Sequence, residues 1–392
     1  MIRRPAPEPR PWIGAALALA LAGLTLRGPL VSPGIVGDGI EQSTGIDTGG
    51  LGLLTTIPVL LFAVAAPLGG AVVARIGARA SLGIAMIVIA AGSLVRVADG
   101  AAPLFAGTVV LGLGLTLGNV AAPVLVKQRV PVERVSTTTG FYTAALNVGS
   151  VLAALGTAPL ADAVGWRGAL AAWALLALVA MLPWLIARGE PRRFSALSGL
   201  DLDTGRSRGS VFLMLAFAGQ GLSYFALIAW LPTILSSTLD IDAGAAAHAS
   251  ALFQLTAIAG AVSTTPLSRL LGGSRLFVVI AVAWAALPLF LLLAPGAWWA
   301  GAALAGWAQG ATVTLVFALV AERTVSLRES ARLSGRVQFV GYGAGAAGPV
   351  LFEVLHALTG TWTLPLMVVV VAASAIGVGG VLAVRRLDRG PA

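Results

Sequence analysis

The sequence predicts an all-α polytopic membrane protein with twelve transmembrane helices in two pseudo-symmetric six-helix halves. Three observations predict it. The chain has 392 residues, 58% hydrophobic and only 10% charged, where a soluble domain carries roughly a quarter charged. Its apolar residues fall in blocks of about 20 or more, the length that crosses a ~30 Å hydrocarbon core as a helix. Its basic residues sit at alternate ends of those blocks, an asymmetry that a wrong span count would scramble.

Charges and Gly/Pro clusters place the spans at 12–36, 49–73, 80–98, 102–126, 136–160, 166–187, 210–236, 244–268, 275–294, 297–320, 332–357 and 362–384. The start, MIRRPAPEPRPW, is basic, but the apolar run after it is too long for a signal-peptide core, so it reads as a retained first span. Putting both termini and alternate loops on one side gathers most of the 25 Lys and Arg there. They include Arg3, Arg4 and Arg10, then Arg75 and Arg79, then Lys127, Arg129 and Arg134. Arg188, Arg192, Arg193, Arg206 and Arg208 follow, with Arg269, Arg275, Arg323, Arg328, Arg332, Arg385, Arg386 and Arg389. Arg96 and Arg167 fall near the opposite side, and Arg27 and Arg336 fall inside spans. The bias puts both termini in the cytoplasm of a multi-pass cell-membrane protein. The expected organisation is a short N-terminus (1–11), a six-helix bundle (12–187), a cytoplasmic linker (188–209), a second bundle (210–384) and a basic C-terminus (385–392).

The halves repeat one another. TTTGFYTAALNVGS around Gly140 resembles ARLSGRVQFVGYGAG around Gly335, an offset of 195 residues. VGWRGAL with Trp166 resembles TGTWTLPL with Trp362 at an offset of 196, and Pro67 matches Pro266 at 199. Parallel halves related about the membrane normal, with substrate bound between them near midplane, are a transporter architecture.

The loop GGAVVARIGAR (Gly69–Arg79) resembles the G-x-x-x-D-R-x-G-R loop between helices 2 and 3 of the major facilitator superfamily. Gly70, Arg75 and Gly77 fit that pattern, Arg79 lies one residue beyond its last basic position, and Ala74 stands at its acidic position. GLLTTIPVLLFAVAAPLGG, GNVAAPVLVKQRVP, TGFYTAALNVGS, LIAWLPTIL, ARLSGRVQFVGYGAGAAGP and GTWTLPL resemble the cyanate and 2-nitroimidazole porters of that superfamily. Two departures stand out: Thr25 precedes Leu26-Arg27 where that family often has Asn, and Arg336 replaces a commonly apolar residue. The resemblance implies a secondary transporter moving a small planar anionic or nitro-bearing solute by alternating access. The alternative within transport is an efflux transporter of broader specificity.

Arg27 is the leading site residue. It lies 15 residues after Trp12, about 22 Å along a helix, where a guanidinium is expensive. Its planar fork of donors suits bidentate oxygen acceptors and cannot be deprotonated. The structural alternative is an Arg that satisfies carbonyls freed by Pro29 and Pro33. Uncharged polar groups at depth complete the candidate shell, because none can face lipid unsatisfied. They are Asn119, Tyr142, Asn147, Gln220, Tyr224, Gln254, Gln309, Gln338 and Tyr342, with Phe141, Trp230, Phe253 and Trp307 as possible aromatic walls. Arg75, Arg79 and Arg336 are candidate gate residues. Glu353 and His356, one helical turn apart, are the candidate proton-coupling pair.

Other classes are excluded or unsupported. With no cysteine a thiolate site has no ligands, and with two histidines a transition-metal site is not expected. No GKS or GKT phosphate loop or metal spacing occurs, so neither ATP-driven pumping nor enzymatic chemistry is expected, and no cofactor. The net charge of +9 reads as basic loops rather than a nucleic-acid surface. The expected partners are a small-molecule substrate and the lipid bilayer, and the expected state is a monomer.

Overall fold

The computed structural model describes residues 11–186, 208–241, 243–324 and 326–387. Residues 1–10, nearly all of the expected linker, and the last residues of the basic C-terminus lie outside the described residues. The first half comprises α1 (Pro11–Ile35), α2 (Gly37–Thr44), α3 (Thr48–Val64), α4 (Ala66–Ile76), α5 (Ala78–Val95), α6 (Ala101–Arg129) and α7 (Val132–Ile186). The second comprises α8 (Arg208–Leu239), α9 (Ala243–Leu271), α10 (Gly273–Leu293), α11 (Trp298–Arg323), α12 (Leu327–Thr359) and α13 (Thr363–Leu387).

Among the described residues, eight helices are long and apolar enough to cross a membrane, and the bent pair α3–α4 makes a ninth. One of the eight, α7, crosses twice: Gly165 adopts φ 76° and ψ 163°, a conformation that suits glycine and breaks the helix into two arms. Those arms are the predicted spans 136–160 and 166–187. The remaining crossings, α9 and α12, have 29 and 33 residues, ample for a bilayer at 1.5 Å per residue. Their lower hydropathy reflects polar groups with partners inside the molecule, Gln254 on α9 bonded to Tyr224 of α8 and Ser334 and Gln338 on α12 bonded to backbone carbonyls of α6.

Two details differ from the sequence reading. The span expected as one helix over 49–73 bends by 57° at Ala65. Pro67 explains the bend, since it offers no amide to the Ala63 carbonyl and its ring crowds that turn. Asp38 and Glu41, expected in a loop, lie on the short α2. Its buried Ile40 packs with Val36, Leu54, Leu104 and Leu170 into a small second core at that end of the first half.

We call the end carrying Arg75, Lys127, Arg129, Arg269 and Arg323 the basic face, and its opposite the far face. The halves meet through two matching contacts toward the basic face. The first arm of α7 packs on α9, and α12 packs on α3 and α4. Glycine permits both: a Cβ at Gly140 would stand 2.6 Å from the Ala261 carbonyl oxygen, and one at Gly335 would stand 3.1 Å from that of Ala66. Gly140 and Gly335 are repeat equivalents, and the residues whose carbonyls they meet, Ala261 and Ala66, lie on the corresponding helices α9 and α4.

Candidate substrate site

Arg27 and Tyr224 occupy corresponding positions, each sixteen residues into the first helix of its half. They are bonded to each other. Arg27 Nη1 donates to Tyr224 Oη at 2.5 Å, across a sequence separation of 197 residues. The guanidinium carbon also lies 4.8 Å from the Tyr224 ring centroid. One of five guanidinium N–H groups is used in this bond, leaving an array of donors at the half-buried Arg27. The structural alternative for Arg27 loses a candidate partner, because the Pro29 carbonyl is held by Arg96 at 2.9 Å.

The phenol oxygen of Tyr224 has a second donor, Gln254 Nε2 at 3.2 Å, and the Gln254 Oε1 is buried with no partner. Rings surround this pair. Tyr224 meets Phe225 edge-on at 5.0 Å and Phe253 at 6.3 Å. Tyr342 lies 4.8 Å from Phe62 and 6.1 Å from Phe225. Phe225 thus lies between Tyr224 and Tyr342.

Toward the basic face the polar groups turn to one another and form a floor. Tyr142 Oη donates to Asn119 Oδ1 at 3.3 Å. Gln338 Nε2, from the other half, donates to the Asn119 carbonyl at 3.1 Å and to Ser334 Oγ at 2.9 Å. Ser334 Oγ in turn donates to the Val120 carbonyl at 3.4 Å. Asn147 Nδ2 donates to the Thr143 carbonyl at 3.0 Å, while its Oδ1 has no partner. Gln309 is buried with neither amide atom partnered, and Gln220 is also buried. Phe141, by contrast, is 53% exposed.

The remaining candidates lie apart from this cluster. Arg79 donates from Nε and Nη2 to the Trp184 carbonyl at 3.1 and 2.7 Å, tying α5 to the second arm of α7 within one half. Arg75 is exposed, and Arg336 is half-buried on α12. His356 stacks flat on Trp362, ring centroids 3.8 Å apart and planes 6° from parallel. Glu353 is exposed, and no hydrogen bond joins it to His356 among the described residues. No cluster of three or more His, Asp or Glu that could hold a metal occurs among the described residues.

Sequence reasoning missed two basic residues with clear structural roles. Lys127 reaches across the interface, its Nζ donating to the Ala321 carbonyl at 2.9 Å and to the Thr324 carbonyl. The only sequence signal was the repeat itself, since Lys127 and Thr324 are 197 residues apart, as Arg27 and Tyr224 are. Arg96, read as a loop-proximal charge, is 1% exposed. The packing of Phe62 and Phe225 around Tyr342 was likewise invisible among many aromatic membrane residues.

Residues 12–237, more than half of the chain, match the family described as Major Facilitator Superfamily. The 2-nitroimidazole transporter of Escherichia coli K12 is 32% identical over 94% of this chain and 94% of its own. The cyanate transport protein CynX of the same organism is 27% identical over 88% of this chain and 91% of its own. Among solved structures, the E. coli fucose:proton symporter FucP superposes with a TM-score of 0.78 at 12% identity, covering 96% of this chain and 99% of its own. The proton:xylose symporter XylE gives 0.78 at 14% identity, with 97% and 96% covered. At those identities the two symporters speak for the fold alone. Together with the twelve crossings and the repeat-related contacts, these matches place the protein among transporters rather than enzymes. The chain belongs to the Major Facilitator Superfamily, in the group that includes the 2-nitroimidazole and cyanate transporters.

Proposed function

We propose that this protein moves a small planar anionic or nitro-bearing solute across the cell membrane by alternating access, with Arg27 as the main hydrogen-bond donor. The observation that carries the reading is the Arg27–Tyr224 bond. It places a permanent cation between the two halves, with donors to spare and aromatic rings alongside. A planar oxyanion or nitro group matches such a fork in two places at once, and a ring or short π-system stacks on phenol faces. The names of the 2-nitroimidazole and cyanate relatives agree with that chemistry.

On this reading both termini and the basic face are cytoplasmic, following the charge bias. Lys127, Gly140, Gly335 and the Asn119–Gln338 floor then form a cytoplasmic seal, and the structure represents the outward-facing form. Asn119, Tyr142, Asn147, Gln254, Gln309, Gln338 and Tyr342 are assigned to the substrate shell, with Arg75, Arg79 and Arg336 near the gate. Glu353 and His356 are the assigned proton-coupling pair, and the monomer is the working unit.

The test is flux into proteoliposomes of 2-nitroimidazole, cyanate, nitrate and small carboxylates, with wild type and Arg27→Ala side by side. Wild type is expected to move at least one of them and Arg27→Ala to lose that flux. Near wild-type flux in the variant refutes the assignment. Imposed pH and voltage gradients read the coupling, and a pH-gradient response that survives Glu353→Gln and His356→Asn removes that pair from it.

A further inference from the structure

Pro33 has no amide hydrogen, so the Pro29 carbonyl four residues earlier on α1 has no helical donor. In a membrane-embedded helix such a carbonyl must find another donor. Arg96, which ends α5, supplies it: Nη1 donates to the Pro29 oxygen at 2.9 Å. Nη2 reaches the Leu170 carbonyl on the second arm of α7 at 3.5 Å, and Nε has no partner. A guanidinium this deeply buried, with two carbonyls as its partners, is expensive to place. The same segment of α1 is held a second time. Ser32 Oγ donates to the Gly28 carbonyl at 3.1 Å and accepts from Trp173 Nε1 at 2.7 Å and from Thr157 Oγ1 at 3.2 Å. Gly28 and Pro29 directly follow Arg27, so these bonds fix the stretch of backbone from which that side chain projects.

We propose that Arg96 is a positioning residue of the transport site, standing in for the amide that Pro33 lacks and thereby holding in place the stretch of α1 that aims Arg27 between the halves. The proposal rests on the reading of Arg27 as substrate donor for its transport consequence, but not for its structural one. It makes an unusual demand: the loss of Arg96 should be repaired by giving position 33 its amide back.

The chain has no cysteine, so labels can be introduced singly or in pairs on the natural background. Spin labels at Gly34→Cys and Ala102→Cys report the distance between the far-face ends of α1 and α6. The expected result is one narrow distance in the otherwise wild-type protein, a broadened distribution in Arg96→Met, and a narrow one again in Arg96→Met with Pro33→Ala. In proteoliposomes, Arg96→Met is expected to raise the KM for 2-nitroimidazole about tenfold, the effect of one buried carbonyl left unsatisfied. The turnover number is expected to change less than about twofold, and Pro33→Ala to return KM to within about threefold of wild type. Arg96→Lys keeps a donor for Pro29 and is expected to stay within about threefold. A wild-type distance and KM in Arg96→Met, no recovery on adding Pro33→Ala, or a loss in Arg96→Lys as large as in Arg96→Met would each overturn the proposal. If the wild-type protein moves no 2-nitroimidazole, the functional reading fails while the distance measurement still decides the role of Arg96.

Discussion

The first helices of the two halves, α1 and α8, are equivalents in the repeat, yet they bring opposite chemistry to the centre of the molecule. At the matching position α1 carries Arg27 and α8 carries Tyr224. α1 has prolines two and six residues beyond its polar residue, whereas α8 has Pro232 eight residues beyond. α8 surrounds its phenol with Phe225 and, from α9, Phe253. Nearer the basic face the halves share the paired glycine contacts of Gly140 and Gly335. The difference teaches where two related halves depart from one another at their shared centre. The repeat supplies two faces that pack and part, and one position that broke the repeat supplies a donor fork on one side and an acceptor with an aromatic wall on the other.

Removing the charged side of the comparison should have the largest effect. Arg27→Ala deletes two or more charge-assisted hydrogen bonds, and at about 1.5–3 kcal/mol each that amounts to roughly a hundredfold or more in flux of the transported solute. Arg27→Lys keeps the charge but not the fork, and an intermediate loss of about tenfold is expected. Exchanging the two residues, Arg27→Tyr with Tyr224→Arg, sharpens the point. The pair is preserved but the cation leaves α1 and the contacts that hold it, so flux is expected to stay near that of Arg27→Ala. Recovery above about a tenth of wild type would show that the site needs only the pair, whichever half carries the charge.

The twelve spans and the two halves were legible in the sequence because hydropathy blocks, loop charges and repeats are each read along the chain, where lipid imposes the same demand on every helix. Arg27 was legible for the same reason, as a charge at a depth where charges are costly. What was not legible depends on partners far apart in sequence. Nothing local to Tyr224 marks it as the acceptor of Arg27, and nothing local to Arg96 says that it answers Pro33. The bend at Ala65 was hidden because Pro67 in an apolar run signals a distortion without its angle. The Lys127 contact could have been inferred only by pairing equivalent positions of the repeat, since basic residues at a cytoplasmic loop otherwise read as topology signals.

On the uncharged side of the comparison, Tyr224→Phe keeps the ring and removes the oxygen that accepts from Arg27 and Gln254. One charge-assisted bond is lost in the empty protein, but a bound anion would take over the freed guanidinium donors. A loss of about fivefold to tenfold in flux is therefore expected, smaller than for Arg27→Ala, and it should appear mainly in KM. An equal or larger loss would move the weight of the site from α1 to α8.

The smallest effect should come from the other cross-repeat pair, Lys127 with Thr324. Lys127 Nζ donates to the Ala321 and Thr324 carbonyls at the end of α11, where the helix presents its negative pole. Ala74 stands at the acidic position of the nearby superfamily-like loop, and on the reading of this face as a seal the Lys127 contact contributes to holding it closed. It works together with the packed glycine contacts, which limits the change: Lys127→Met should shift the equilibrium toward opening at this face by about fivefold, or roughly 1 kcal/mol. Labels at Val132→Cys and Leu270→Cys, exposed residues on α7 and α9 at the basic face, would read that shift as a growing long-distance population. The Arg27–Tyr224 level should be unaffected, so substrate affinity measured in the closed form should hold while the rate of the cycle changes. A fall in affinity instead would mean that the two cross-repeat pairs are coupled, and that the seal and the site act as one unit.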